Sequence, residues 1–251
     1  TASGALALRK NTTGNNNTAN GINSLALNSI GSSNTAYGAL TLVSNTTGDN
    51  NTANGAGALY FNSTGYANTA IGASALENNT TGHGNTATGF YALRGNTNGH
   101  YNTATGFEAL RNNGAGDNNT ANGRGALYSN TGGNNNTAFG NVALSNNTTG
   151  SNNTALGTDA LGNVTTGSNN IGIGNDASVP SSSGSNQVRV GNTAITYAGI
   201  QVFWSVTSDR RKKADIKPSP LGLEFISQLN PVSYYRQNDK NKKTEYGFIA
   251  Q

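Results

Sequence analysis

The run Thr207-Ser208-Asp209-Arg210-Arg211-Lys212-Lys213-Ala214-Asp215-Ile216 holds the densest set of reactive side chains in the sequence. A serine hydroxyl is a weak nucleophile until a base takes its proton. A lysine amine serves as that base only where burial or neighbouring cations lower its pKa. Arg210, Arg211 and Lys212 supply such cations. Taken alone, residues 210–217 read better as a solvated basic turn.

Two other sets of side chains could do chemistry. His100 stands at i+17 from His83. A metal needs ligands converging to about 2 Å, and the residues at the same phase (Asn15, Ser32, Asp49, Tyr66, Asp117, Asn134) are ordinary loop chemistry. No metal and no cofactor is expected. Tyr60, Phe61, Tyr66, Phe90, Tyr91, Tyr101 and Phe107 concentrate aromatics in the middle of the chain. Exposed, they would suit stacking on sugars; the favoured reading is a local widening of the core. With no Cys there is no disulfide, thiolate metal site or cysteine nucleophile.

These residues sit in an unusual chain. Of 251 residues, 34 are Gly and 43 are Asn, only 33 % are hydrophobic and only 10 % are charged. An average globular protein is about 25 % charged, and disorder usually carries high net charge. A large single core is excluded, and so is simple charged disorder. Residues 1–174 hold five basic and five acidic side chains; the last 77 hold ten and six, which is the whole net charge of +4. The repeat surface therefore has no field to attract phosphate, and no nucleic-acid partner is expected. No run of about 18 apolar residues suggests a membrane span, and no signal peptide is visible.

Periodicity resolves the composition. Gly recurs at 4, 21, 38 and onward to Gly174, and a second Gly series runs through 14, 31 and 48 to Gly167. Asn holds the same spacing from Asn17 to Asn170, and Leu from Leu8 to Leu161. The unit is G-x-x-N-T-A-x-G-x-x-A-L plus five polar linker residues. Low-complexity sequence does not hold phase in this way. Thr1-Ala2-Ser3-Gly4 matches the T-A-x-G of a unit, and the sequence has no Met, so further units are expected to precede Thr1.

Gly at two fixed phases suits turns that need positive φ or close backbone approach. Between the turns, T-A-x-G and x-x-A-L are long enough for two short strands per coil. Coils stacked at about 4.8 Å would make ten coils roughly 45–50 Å long. Equal positions then become ladders: an Asn ladder from Asn17 onward, a Leu spine from Leu25 and an Ala spine from Ala19. One Leu and two Ala per coil make a small core for the entropy of ordering it. Sharing that core between chains is the expected remedy, so an oligomer is predicted. Regular Thr from Thr18 raises ice binding, but only Thr86-Ala87-Thr88 and Thr103-Ala104-Thr105 carry the second Thr, and that reading is set aside.

Asn68-Thr69-Ala70-Ile71-Gly72-Ala73-Ser74-Ala75-Leu76 and Asn169-Asn170-Ile171-Gly172-Ile173-Gly174 resemble the head repeats of trimeric autotransporter adhesins. The resemblance covers residues 1–174. It implies a trimeric, left-handed parallel β-roll with a shared apolar centre. The coil here is longer, which is assigned to a longer outer loop. Asn20, Tyr37, Thr88 and Phe139 replace the Ile of the family signature.

After Gly174 the phase fails, with Ser178 in place of Leu. Residues 175–207 read as a linker and β neck, with a Ser-rich linker at Pro180–Ser185 followed by strands at Gln187–Val190 and Ile195–Val206; Trp204 lies here. Ser219-Pro220 starts a helix pattern with Leu221, Phe225 and Leu229 on one face, ended by Asn230-Pro231. Val232–Tyr235 and Tyr246–Ala250 read as paired strands around a turn at Asn238–Lys243. Ser208, Asp209, Arg211 and Lys213, then Gly222-Leu223 through Pro231-Val232, then Gly247 through Gln251 resemble, in order, the self-cleaving intramolecular chaperone of phage endosialidases and tail spikes. The resemblance implies that residues 208–251 are the N-terminal part of a small α+β chaperone segment that drives trimerisation. It then cuts the bond Thr207–Ser208, with Ser208 as nucleophile and Lys213 as base. Lys212 stands where that family often has an apolar residue.

The whole reads as an all-β repeat fibre of 17-residue coils: residues 1–174 the roll, 175–207 the neck, 208–251 the chaperone segment. The expected function is a structural or adhesive homotrimeric fibre of the phage-tail or cell-surface kind, extracellular, at a cell surface or on a virion tail. Its partner would be a surface glycan or receptor. The alternative is a passive coat filament with a retained, non-cleaving cap. No activity on an external substrate is expected beyond autoproteolysis.

Overall fold

The computed structural model describes residues 1–197 and, beyond them, the backbone of residues 231–234 and 245–248. The chain divides into two units, Thr1–Tyr197 and Ala198–Gln251.

The first unit is a parallel β-solenoid. Strand β1 is Ala2–Ser3, β2 is Thr18–Asn20, and one short strand per repeat follows through β11 (Ile171–Ile173) to β12 (Val188–Val190). The twelve strands form one parallel sheet in sequence order. The register equals the repeat, so Thr18 pairs with Thr35 and Ala19 with Ala36. Hydrogen bonds between coils are not confined to the sheet. In the middle of the stack, Thr86 N–H donates to Asn102 O at 2.8 Å, Leu93 N–H to Ala109 O at 3.0 Å and Thr97 N–H to Gly114 O at 2.9 Å. Backbone groups around the whole coil are thereby tied to the next coil, as a stacked backbone requires.

Only one of the two predicted strands per coil exists. T-A-x is extended, but x-x-A-L is a turn, and its Leu is left-handed: φ is 49° at Leu25, 52° at Leu93 and 53° at Leu144. This conformation costs an L-residue roughly 1–2 kcal/mol, an amount comparable to what burying a Leu side chain contributes. The Leu is accordingly buried in every inner coil. The strain and the burial belong to the same residue.

The predicted shared core is also corrected. Leu25 through Leu161 and the Ala column from Ala36 to Ala138 are fully buried within a single chain. A further Ala column, Ala58 to Ala160, is buried beside them. What completes the small apolar core is asparagine. The predicted ladder forms: Asn102 N–H donates to Asn85 Oδ1 at 2.9 Å, and Asn85 Nδ2 donates to Gly99 O at 2.8 Å. A second ladder lies in what reads as polar linker, from Asn28 to Asn147, also buried. There Asn96 Nδ2 donates to Asn79 Oδ1 at 2.8 Å and to Gly99 O at 3.0 Å. Both ladders thus meet on the same Gly carbonyl. Buried amides are tolerated because they are paired. Among the described residues the exceptions are Asn147 Oδ1 and Asn163 Oδ1, which have no donor; the next residue in the column of Asn147 is Val164.

The two Gly series serve different needs. At Gly89 φ is +135°, and a Cβ would lie 2.5 Å from Gly106 O. At Gly99 φ is ordinary, but a Cβ would lie 2.5 Å from Gly116 O. The first is a turn that favours Gly; the second is a close approach of stacked backbones.

The in-register stack continues past Gly174. Strand β12 pairs with β11 through Ile171–Val188 and Ile173–Val190. Ser178 replaces the Leu, and Val179, only 3 % exposed, fills the space from the next position. Gln187 takes the place of Asn: its N–H donates to Asn170 Oδ1 at 2.9 Å and its Nε2 to Gly184 O at 2.8 Å. Ile195–Tyr197, predicted to begin a strand, belongs to none, and residues 198–206 lie outside the described residues. In the second unit, β13 (Pro231–Tyr234) and β14 (Glu245–Phe248) pair antiparallel, as the sequence predicts.

Candidate functional site

The predicted catalytic pair, Ser208 and Lys213, lies outside the described residues, as do Thr207, Trp204 and the helix predicted over residues 219–229. The solenoid surface is described in full, and its chemistry is set by which columns point outward.

The aromatics do not widen the core. Phe61, Phe90 and Phe107 are 42–47 % exposed, Tyr66 is 48 % and Tyr101 59 % exposed. Phe90 and Phe107 share a column with Arg124 and Asn141, and their rings stack at 5.6 Å across one coil step. The core keeps its Leu and Ala, and these rings lie on the surface.

Beside Phe90 runs a strip of acid, base and aromatic side chains. Arg94 Nε donates to Glu77 Oε2 at 2.7 Å, and the Arg94 guanidinium lies 4.6 Å from the centre of the Tyr91 ring. The hydrogen bond to Glu77 is the main cause that raises the Arg94 pKa; partial burial opposes it, and the charge of Glu77 adds to it. One coil on, Arg111 donates to Glu108 Oε1 at 2.9 Å and to the Tyr128 hydroxyl at 2.7 Å. These half-exposed pairs orient the strip more than they stabilise it.

A cleft of about 360 Å³ opens at the end of this strip. It exists because Gly125 stands between Glu108 and Val142 in one column, which removes a side chain from the strip. Arg124, Tyr128, Ser145 and Asn146 line it. Its groups are hydrogen-bonding and aromatic.

The His column is a third surface feature. Tyr66 and His83 stack at 4.5 Å, and the ring centres of His83 and His100 lie 3.9 Å apart with the planes tilted by 34°. Side chains in this column bind the backbone of the preceding coil: His83 N–H donates to His100 Nδ1 at 3.2 Å, and His100 N–H to Asp117 Oδ1 at 2.7 Å. The His83 pKa is lowered, first by burial and then by His100, with Asp117 opposing. Among the described residues no three His, Asp or Glu side chains converge as metal ligands. No helix among them is long and apolar enough to cross a membrane.

Residues 208–251 match the family model described as chaperone of endosialidase. The match begins at Ser208. No curated protein and no solved structure matches the chain.

Proposed function

We propose that the chain is the shaft of a homotrimeric extracellular fibre, of the phage-tail or cell-surface kind, and that residues 208–251 drive its assembly and then cut themselves off. The observation that carries this reading is the chaperone-of-endosialidase match placed after an uninterrupted solenoid. A stack tied by hydrogen bonds around each coil is stiff and one-dimensional, which suits a shaft. Near-neutral charge over residues 1–174 suits a surface that must not bind polyanions indiscriminately. Trimerisation in this reading does not close the core, which a single chain buries; it aligns three finished solenoids.

In the cleavage step, Ser208 Oγ adds to the Thr207 carbonyl carbon while Lys213 takes the hydroxyl proton. The C–N bond breaks as the Ser208 nitrogen is protonated, leaving an ester. Water then hydrolyses the ester to a Thr207 carboxylate and a free Ser208 hydroxyl. Adhesion would fall to the exposed ring faces of Phe61, Phe90, Phe107, Tyr66 and Tyr101, which can stack on the apolar faces of sugars. The test of the assembly reading is native mass by light scattering on the full chain. A species of three chains is expected; a stable folded monomer overturns it.

A further inference from the structure

The outward face of the sheet changes character along the fibre. From β2 to β8 (Thr120–Asn122) its two outward columns carry Thr in one and Asn, Tyr, Ile or Thr in the other. Ile71 and Tyr37 stand there singly, as exposed apolar residues commonly do. From β9 (Thr137–Phe139) onward the second column is apolar without a break: Phe139, Leu156, Ile173 and Val190. In the last two strands the Thr column becomes apolar as well, with Ile171 and Val188. All six are exposed, from 39 % at Ile171 to 66 % at Val190. This is a contiguous patch that widens toward the C-terminal end of the stack, and it has no charged residue in either outward column.

We infer that this face of β9–β12 is the contact between copies of the chain, and that the copies meet there while the Asn- and Thr-faced coils nearer the N-terminus do not pack through this sheet. The inference rests on the trimer reading and assigns its surface. Three features select another copy as the occupant. The face carries no charge to pair with a differently charged partner. Identical solenoids rotated about a common axis present identical residues at equal height, so an apolar ladder meets an apolar ladder coil for coil. The patch is widest at the last coil, and the segment that matches the chaperone family begins soon after it in the sequence, at Ser208.

The chain lacks cysteine, so single cysteines report contact cleanly. Full-length Val190→Cys, Ile173→Cys and Asn54→Cys would each be treated with a short bifunctional maleimide and run under denaturing conditions, beside native mass. Cross-linked chains are expected for Val190→Cys and Ile173→Cys and not for Asn54→Cys, which holds the same column nearer the other end. A trimeric mass without cross-linking at Val190→Cys overturns this surface and leaves the trimer reading standing; the face would then serve the chain's own C-terminal segment or another protein. A monomeric mass overturns both. As a second variant, Ile173→Glu with Val190→Glu should convert trimer to monomer while the far-UV circular dichroism of the solenoid is kept, because both side chains point outward. A trimer that persists in that variant also overturns the assignment.

Discussion

Replacing Asn85 by Ala tests whether polar ladders complete the core. Four hydrogen bonds disappear: Asn85 Nδ2 to Gly99 O (2.8 Å) and to Asn68 Oδ1 (3.2 Å), and the bonds Asn85 Oδ1 receives from Asn102 N–H (2.9 Å) and Asn102 Nδ2 (3.1 Å). Most partners keep a second contact. Gly99 O retains Asn96 Nδ2, Asn102 Nδ2 retains Gly116 O, and Asn68 Oδ1 retains the backbone N–H at position 85. The buried Asn102 N–H loses its acceptor. One orphaned buried donor together with the net loss of the shorter bonds amounts to about 3 kcal/mol. Urea unfolding followed by circular dichroism at fixed protein concentration reads this as a lower midpoint at similar slope. Asn85→Asp sharpens the test. It keeps the acceptor for Asn102 N–H but sets a buried carboxylate against Gly99 O and Asn68 Oδ1. Burial and facing acceptors raise the pKa of that carboxyl in the folded state. Its stability is therefore kept below the unfolded value of about 4 and lost as pH rises above it. The Asp variant should be weaker than the Ala variant at pH 7 and recover at low pH. A loss under about 1 kcal/mol for Asn85→Ala, or no pH dependence for Asn85→Asp, refutes the reasoning.

Two further outcomes follow from the structure. Gly89→Ala combines a φ of +135° with a Cβ 2.5 Å from Gly106 O, whereas Gly132 has nothing within 4 Å of its Cβ; thermal melts should show the first strongly destabilised and Gly132→Ala unchanged or slightly more stable. His83 has a folded pKa lowered from 6.5, so below that value the unfolded chain binds more protons; its contribution is complete above that pH and is lost as pH falls through it. His83→Asn should flatten stability between pH 7 and 5, and an unchanged slope contradicts the assignment.

The solenoid was legible because one spacing governs everything in it. Gly, Asn and Leu at a common phase give the coil length, the parallel register and the inward columns without further help. The second Asn ladder was equally periodic, from Asn28 to Asn147, yet polar residues between Gly positions read as loop. The signal was its unbroken phase. The Leu turn was hidden for another reason: an apolar x-x-A-L stretch has the same composition extended or left-handed, and φ leaves no trace in residue type when burial of Leu offsets the strain. The aromatics misled through size, which argues for the interior. Their column partners argue otherwise, since Arg124 and Asn141 stand at the phase of Phe90 and Phe107. The last coil escaped because Ser178 and Gln187 break the pattern that Val179 and the Gln187 amide restore in space. The candidate site was legible only through the resemblance of its motifs to a known family, which is what names Ser208 and Lys213; both lie outside the described residues.

The central claim is that the shaft is released from its own assembly segment by Ser208. Intact mass of the protein expressed with residues 208–251 in place, beside a Ser208→Ala twin, tests it most directly. A wild-type product ending at Thr207 and a twin left whole are expected. If both chains stay whole, residues 208 onward are a retained cap, and the self-cleaving assembly segment is contradicted.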